Sequence, residues 1–346
     1  MISPHAHRTT TPQLDGRTHP PKAAPLQLHT AVYSDPQPGS RKQVRVLGTT
    51  ATTCNASDTN KLLMARLAEL CALPTHTVHL DVVINIHSQG VCQLAPSLPP
   101  CVLKTVSYPG SKLLFWRSFL SPEFTRPYDA IWNFDNDLRL EPSAFPFHFA
   151  VTAFLESRAS LSQPCVSSGG KRKNRGHIPT LRCSGQLHRC KTFPSASPCY
   201  LRNIKFVEMQ APLFTREAWT LQYEQLLSKI PLEVLRDAHL GRDAGPDHAY
   251  CSLFAKAFPG RQACAVLCMP LIHLNMKTNS EGPANKIIWG NLTRAAKKLL
   301  PTMYNKYAPG IQAGTCTLER NRSTMALRSL EVISGAAIGK PRGLQR

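Results

Sequence analysis

The chain has no long hydrophobic run. Nowhere in its 346 residues do about 18 apolar residues follow one another, as a membrane-spanning helix would require. The first 42 residues also lack the apolar core of a secretory signal peptide. We therefore predict no transmembrane segment in this chain, which taken at face value indicates a soluble protein. A protein that had lost an upstream anchor would have the same sequence features.

Negative charge is also scarce. The chain has 21 Asp and Glu residues against 41 Lys and Arg residues, a formal net charge of +20. Such an excess raises nucleic acid, anionic membranes and phosphorylated ligands as partners. The basic residues are scattered, however, apart from residues 171–175 and the C-terminal tail, and aromatic residues do not alternate with them to form a base-stacking platform. Nucleic acid is therefore not expected as a partner. A basic nucleic-acid-binding protein stays an alternative, which a steep salt dependence of RNA or DNA affinity would reveal.

Two common phosphate-binding signatures are missing. Residues 44–49 have the β-rich composition of a first strand, but neither G-x-G-x-x-G nor G-x-x-x-x-G-K follows it. The Rossmann and P-loop cradles are therefore not supported. If the protein binds a nucleotide, other groups must hold its phosphates.

Paired C-x₂-C spacing is missing as well, although the chain has 12 cysteines. One cluster of four cysteines between residues 165 and 199 could enclose zinc or form one or two disulfides. Because the paired spacing is missing, zinc is the weaker interpretation. Cys264 and Cys268 share a strand face but lie too far apart to be bridged, so we interpret them as small buried hydrophobes. The even total and three N-x-S/T sequons, at Asn55, Asn291 and Asn321, would suit a secretory protein with disulfides. The cluster consists of Cys165, Cys183, Cys190 and Cys199, with His177 and His188 nearby.

Composition divides the chain into three parts. Residues 1–42, rich in Pro, Thr, His and Arg, are predicted to be a disordered leader, and an organellar transit peptide is a further interpretation. Residues 43–282 carry the periodic apolar patterns of an α/β domain, with a long Gly-, Ser-, Lys- and Pro-rich surface insert at 167–198. Residues 283–346 form a basic C-terminal tail with little core-forming pattern.

The domain begins with strand, helix and strand. Strand 44–49 is followed by helix 61–73, and residues 78–86 alternate with a period of two. This order predicts an α/β fold with a mainly parallel central sheet and helices on both faces. Further helices are predicted at 113–120, 142–157, 216–230 and from 247, and further strands at 128–134, 161–166, 204–215 and 262–274.

Asp135 and Asp137 follow the apolar strand 128–134. If the extended backbone continues, both carboxylates project to the same side of it. Two carboxylates so close are costly to bury unpaired, and Mg²⁺ or Mn²⁺ removes that difficulty because both ions prefer oxygen ligands. The pair therefore predicts a metal–diphosphate site. The alternative is a solvated corner between strand and turn, where Asp and Asn are common.

A series of short motifs occurs in a fixed order along the chain. The motifs are 108–110 (YPG), 119–120 (FL), 128–138 (YDAIWNFDNDL), 161–164 (LSQP), 206–212 (FVEMQAP), 216–219 (REAW), 245–247 (GPD) and 272–274 (IHL). This series resembles an uncharacterised family called "lysine-ketoglutarate reductase trans-splicing related", which is itself similar to type-A glycosyltransferases. The resemblance covers roughly residues 44–278, and the long insert and the tail depart from it.

The resemblance implies a metal-dependent glycosyltransferase. The donor would be a nucleotide sugar, the acceptor a glycan or another hydroxyl compound, and the location the Golgi or secretory pathway. Asp135 and Asp137 would hold Mn²⁺ or Mg²⁺, and His273 would be a third metal ligand. His273 could instead be a core histidine at a strand end. A nucleotide-sugar-binding scaffold without catalytic activity is the alternative function.

An inverting transferase also needs a carboxylate base. Asp247, at the start of a predicted helix, is the favoured candidate, although an Asp there could simply be an N-cap. Glu208, in the predicted strand 204–215, is the other candidate, because a carboxylate in an apolar strand needs compensation. Trp132 is predicted to lie beside the donor site. Trp219 could stack on a sugar or, more simply, pack in the core.

Overall fold

The computed structural model describes residues 43–54, 57–73, 77–87, 94–108, 110–139, 147–168, 181–183, 190–192, 199–237, 246–273, 294–301 and 316–319, and every structural statement below concerns these residues. The predicted leader and all three sequons lie outside them. No helix in these ranges is long and apolar enough to cross a bilayer.

The first half of the domain is a parallel sheet. Strand β1 (Val44–Thr52) leads through helix α1 (Ser57–Cys71) to β2 (Val78–Ile86), and β3 (Val102–Ser107) adds to the outer side of β2. Strand β4 (Ala130–Asn133) returns to the other side of β1. All four strands are parallel, as the strand–helix–strand order predicted. Eight of the nine residues of β2 are buried, so this strand is covered on both faces.

The second half mixes strand directions. Strand β10 (Leu213–Thr215) runs antiparallel between β4 and β6 (Leu161–Ser168), and β11 (Cys264–His273) lies parallel to β6. Beyond β11 come β9 (Cys199–Asn203) and β12 (Cys316–Glu319), while the two-residue β5 (Leu138–Arg139) pairs with the end of β11. The order in the described sheet is β12-β9-β11-β6-β10-β4-β1-β2-β3, with β5 attached to β11. The sheet is therefore mostly, but not wholly, parallel.

Helices cover both faces of this sheet, as the sequence predicted. Residues alternate along β1, so Val46 packs with α1 and α4 (Phe147–Glu156) on one face. Leu47 packs on the other face, which is covered by α2 (Lys112–Phe119), α5 (Arg216–Gln225) and α7 (Asp247–Ala257). Three short helical segments lie between these helices along the chain: α3 (Pro122–Thr125), a 3-10 turn (Leu227–Lys229) and α6 (Leu232–Asp237).

Two predicted elements differ from the structure. Only residues 213–215 of the predicted strand 204–215 are a strand, because the preceding carbonyls bond to the end of β4 in an irregular run: Gln210 O accepts from Asp135 N at 2.8 Å, and Pro212 O from Asn133 N at 2.9 Å. The insert predicted as a surface loop contains a two-stranded sheet of β7 (Leu181–Cys183) and β8 (Cys190–Thr192).

Packed structure extends beyond residue 282, where the sequence predicted the domain to end. Residues 294–299 are helical, and Ala296 and Leu300 are buried against the same core as α5 and α7. Strand β12 pairs with β9 in the main sheet. The region therefore contributes core and sheet, a role that its basic composition did not indicate.

Disulfides join elements that are distant along the chain. Cys71 at the end of α1 is bonded to Cys101 just before β3, and Cys251 in α7 is bonded to Cys264 at the start of β11. Cys54 and Cys165 are disulfide-bonded as well. The interpretation of Cys264 as a simple buried hydrophobe was therefore wrong. Its partner comes from a helix 13 residues earlier, which spacing along a strand could not indicate.

Candidate functional site

The order of the parallel strands defines a crevice. The chain moves outward from β1 to β2 and β3, then reverses and adds β4 on the opposite side of β1. In open α/β sheets, ligands bind outside the carboxyl ends of the strands where the order reverses. The point of reversal here lies between β1 and β4, and Asp135 follows β4 by two residues. The candidate acidic pair thus stands at the edge of the sheet where this architecture places ligands.

The acidic pair lies in a turn rather than at the end of an extended strand. Ladder pairing of β4 ends at Asn133, and Leu138 N approaches Asp135 O at 3.4 Å to close the turn. The expectation that alternation carries both carboxylates to one side therefore does not apply, because the backbone bends between them. Asp135 has a 28% exposed side chain, whereas Asp137 is only 7% exposed. Asn136 ties the turn to the end of β1 by donating to Thr52 Oγ1 at 2.9 Å.

A cationic side chain contacts Asp135. Lys112 Nζ lies 2.5 Å from Asp135 Oδ1 and 2.9 Å from Met209 O. Lys112 is the first residue of α2, whose N-cap Ser111 accepts from Leu114 N and donates to Leu235 O, each at 3.0 Å. This capping fixes where α2 begins, and thereby holds the lysine over the turn.

The residues present partly fit a divalent cation. Two carboxylates offer the hard oxygen atoms that Mg²⁺ and Mn²⁺ prefer, and the ammonium of Lys112 already contacts one of them. Within the described ranges, however, no three His, Cys, Asp or Glu residues come together as a metal-binding group. The structure describes the backbone of His273 but not its side chain. Its backbone pairs with Leu138, the residue after Asp137, so its role as a third ligand stays a prediction.

The irregular run 204–212 links the other candidates to this turn. Besides its Gln210 bond to Asp135 and its Met209 bond to Lys112, it places the ring of Phe206 5.5 Å from that of His248 in α7. Glu208 therefore lies between the acidic turn and the start of α7. It is half-buried, and its amide donates to Gln163 Oε1 at 2.6 Å. It does not lie in a strand, contrary to the prediction.

Asp247 begins α7 and is 4% exposed. The N-cap of that helix is Pro246, so Asp247 occupies the first helical turn rather than the cap position that the sequence left open. A carboxylate there is stabilised by the positive end of the helix dipole.

Both tryptophans singled out from the sequence are core residues in the described structure. Trp132 is 1% exposed and stacks on Phe134, with ring centroids 4.3 Å apart, while Phe147 lies 5.0 Å away. Trp219 is fully buried, and its Nε1 donates to Leu120 O at 2.9 Å. Core packing explains both without a ligand, and the donor-site role of Trp132 stays a prediction.

Sequence reasoning missed a group of buried polar residues next to the turn. Thr49, Asn85 and Asn133 lie near the carboxyl ends of β1, β2 and β4, on the face that α2 covers. Thr49 Oγ1 donates to Asn133 Oδ1. Both amide atoms of Asn85, which is 0% exposed, and Asn133 Nδ2 have no hydrogen-bond partner among the described residues. The signal was available, since Asn85 is a polar residue within the most apolar predicted strand.

His87 follows β2 at the same edge of the sheet. Its Nδ1 is buried without a partner among the described residues, and burial lowers the pKa of the imidazole. Together with Asn85, it offers unpaired polar atoms to a ligand seated at this edge.

We predict that Asn85→Leu raises the free energy of unfolding by about 1–3 kcal/mol, because it removes a buried amide with no partner. Urea unfolding followed by circular dichroism measures this. Asn60→Leu is the matched control: Asn60 Nδ2 donates to Thr53 O at 2.8 Å and its Oδ1 accepts from Thr52, so its loss should destabilise the protein. A clear loss of stability in Asn85→Leu would contradict the prediction.

One protein-family model matches part of this chain, including some of the candidate residues. The model of a family described as protein of unknown function (DUF707) matches residues 102–232. Lys112, Asp135, Asp137 and Glu208 lie in the matched segment, whereas Asp247 and His273 lie beyond it. A solved structure, "Crystal Structure of a Mycobacterial Protein", is 13% identical with a TM-score of 0.38, covering 73% of this chain and 75% of that one. The comparison with curated proteins finds no match.

Proposed function

We propose that this protein is a metal-dependent glycosyltransferase of type-A-like fold, which transfers a sugar from a nucleotide-sugar donor to a glycan or another hydroxyl acceptor. One observation carries the proposal: the Asp-x-Asp turn lies where the strand order reverses between β1 and β4. Ligands of open α/β sheets bind at such points. The mainly parallel sheet with helices on both faces supports the same proposal.

Each candidate residue has a role in the proposed reaction. Asp135 and Asp137 would hold Mn²⁺ or Mg²⁺, with His273 as a third ligand. The ion, when bound, supplies positive charge to the diphosphate leaving group. Asp247 is the favoured base for the acceptor hydroxyl, and Glu208, linked by its own segment to the acidic turn and to α7, is the second candidate.

The disulfides support the proposed location. Bonds such as Cys71–Cys101 and Cys251–Cys264 persist in oxidising compartments and are rare in the cytosol. A protein of the secretory pathway, including the Golgi, is consistent with them.

The test of this proposal is nucleotide release from a panel of UDP- and GDP-sugars by the full chain with Mn²⁺. We expect Asp135→Asn and Asp137→Asn to lower the release rate by about 10²–10³-fold, as loss of one electrostatic contact to a transition state does. Asp58→Asn, which removes an exposed carboxylate in the first turn of α1, is the control and should leave the rate unchanged. Absence of binding and of turnover across the panel, with both substitutions neutral, would refute the proposal.

A scaffold that binds nucleotide sugars without transferring them is the second candidate. Asp135 is already paired with Lys112, and the charge of that ammonium repels a divalent ion, which favours binding over metal-dependent catalysis. This candidate predicts UDP or GDP binding, measured by tryptophan fluorescence with and without Mn²⁺, and no transfer to any acceptor.

A further inference from the structure

Lys112 occupies a position that a helix does not favour for a cation. It is the first residue of α2, at the positive end of the helix dipole, and the first turn of α2 contains no acidic residue. Its side chain is only 14% exposed, so water screens this charge poorly. A partly buried ammonium at this position therefore needs compensation from outside its own helix.

The compensation comes from the candidate site. Asp135 Oδ1, at 2.5 Å, supplies a full negative charge, and Met209 O, at 2.9 Å, supplies a second acceptor. The indole ring of Trp116 is an aromatic neighbour, with its centroid 5.8 Å from Nζ. Asp135 and Met209 belong to the turn after β4 and to the irregular run 204–212, so the lysine links the two segments that border the site.

This pairing has a consequence for metal binding. An ammonium on one oxygen of a carboxylate repels a divalent ion at the same carboxylate, so the ion binds more tightly once the ammonium has moved away. Lys112 and the ion therefore compete for Asp135. The flexible four-carbon stem of lysine lets the ammonium move without a change in the backbone of α2.

We propose that Lys112 exchanges partners: it neutralises Asp135 while the site is empty, and it binds the diphosphate of the donor once a divalent ion has taken Asp135. The proposal rests on the metal–diphosphate site of the proposed function. Lysine is well suited to the second role, because its compact ammonium is a common phosphate ligand. Removing the ammonium should thus raise the affinity for a divalent ion and lower the affinity for a diphosphate. Loss of a merely structural contact does not produce this combination.

Lys112→Met, which keeps most of the aliphatic stem, tests both effects on the full chain. We expect affinity for Mn²⁺ alone, measured by electron paramagnetic resonance, to rise about tenfold, since the competing cation is gone. We expect affinity for inorganic pyrophosphate, measured by calorimetry in saturating Mn²⁺, to fall about tenfold or more, since a cation that binds phosphate is gone. Asp135→Asn in the Lys112→Met background should remove the gain in Mn²⁺ affinity.

Two further variants separate charge from packing. Lys112→Arg keeps a cation at this position and should retain pyrophosphate binding. Lys104→Met also removes one positive charge, from an exposed lysine on β3. Because distant exposed charges have weak effects, it should change neither the Mn²⁺ affinity nor the pyrophosphate affinity by more than about twofold. Thermal unfolding of each variant verifies that it is folded.

Unchanged or weaker Mn²⁺ binding by Lys112→Met overturns the exchange, as does unchanged pyrophosphate binding. Neither measurement involves sugar transfer. A protein without transferase activity can still show both opposite shifts, and an active transferase can show neither, so failure of this inference is distinct from failure of the proposed function.

Discussion

Trp219→Ala is expected to lower the free energy of unfolding by about 3–5 kcal/mol, which is typical for removing a buried aromatic side chain. Trp219 is fully buried, and its ring centroid lies 5.5 Å from that of Trp116 and 5.4 Å from that of Phe214. Truncation leaves a cavity between α2, α5 and the sheet. It also leaves Leu120 O, the acceptor of the indole N–H, without that partner. Guanidinium unfolding followed by far-UV circular dichroism measures the loss.

Trp219→Phe is the matched control for this prediction. It retains an aromatic ring but removes the indole N–H, so it should cost clearly less than the alanine variant. The pair also decides between the two roles that the sequence allowed. If Trp219→Ala unfolds like the unaltered protein but weakens binding of a nucleotide sugar, the ring stacks on a ligand and the core assignment fails.

Removal of the Cys71–Cys101 disulfide is expected to cost about 3–4 kcal/mol in the chain-entropy account of a cross-link. The two cysteines are 30 residues apart, and their bond attaches the end of α1 to the start of β3. In the described sheet β3 is an edge strand held on one side by β2, so it has few other attachments. The test is guanidinium unfolding of the Cys71→Ala/Cys101→Ala double variant under non-reducing conditions.

The second disulfide offers a comparison. Cys251 and Cys264 are only 13 residues apart, so the cross-link contribution should be smaller by roughly 0.7 kcal/mol. Cys71 and Cys101 are also partly exposed, whereas Cys251 and Cys264 are buried. A mild reductant should therefore open Cys71–Cys101 before Cys251–Cys264, as thiol labelling and mass spectrometry would show. A double variant at 71 and 101 with unchanged stability would contradict the prediction.

Much of the parallel half of the fold could be predicted from the sequence because its signals are local. Residues 78–86 alternate and are a strand, and the helix that precedes them shows apolar residues at helical spacing. The same reasoning failed for residues 204–212. A buried irregular segment is as apolar as a strand, and only the hydrogen bonds to Asn133 and Asp135 distinguish the two.

At the candidate site, too, the features that depend on neighbouring residues were predicted, and those that depend on the folded backbone were not. The sequence predicted that an acidic pair follows an apolar strand, and the structure puts that strand beside β1. The bend between Asp135 and Asp137 was not predictable from alternation, since alternation presupposes an extended backbone. The position of Asp247 after, rather than at, the N-cap also required the helix boundary itself.

By itself, the sequence determined the initial strand–helix–strand order, the mixed α/β class and the presence of two acids after β4, because these depend on neighbouring residues. Only the tertiary structure decided that Lys112 binds Asp135, that Asn85 is buried with an unpaired amide, and that Cys251 meets Cys264. Each of these is a contact, or the lack of one, between segments that folding brings together. The pattern of any single segment does not contain that information.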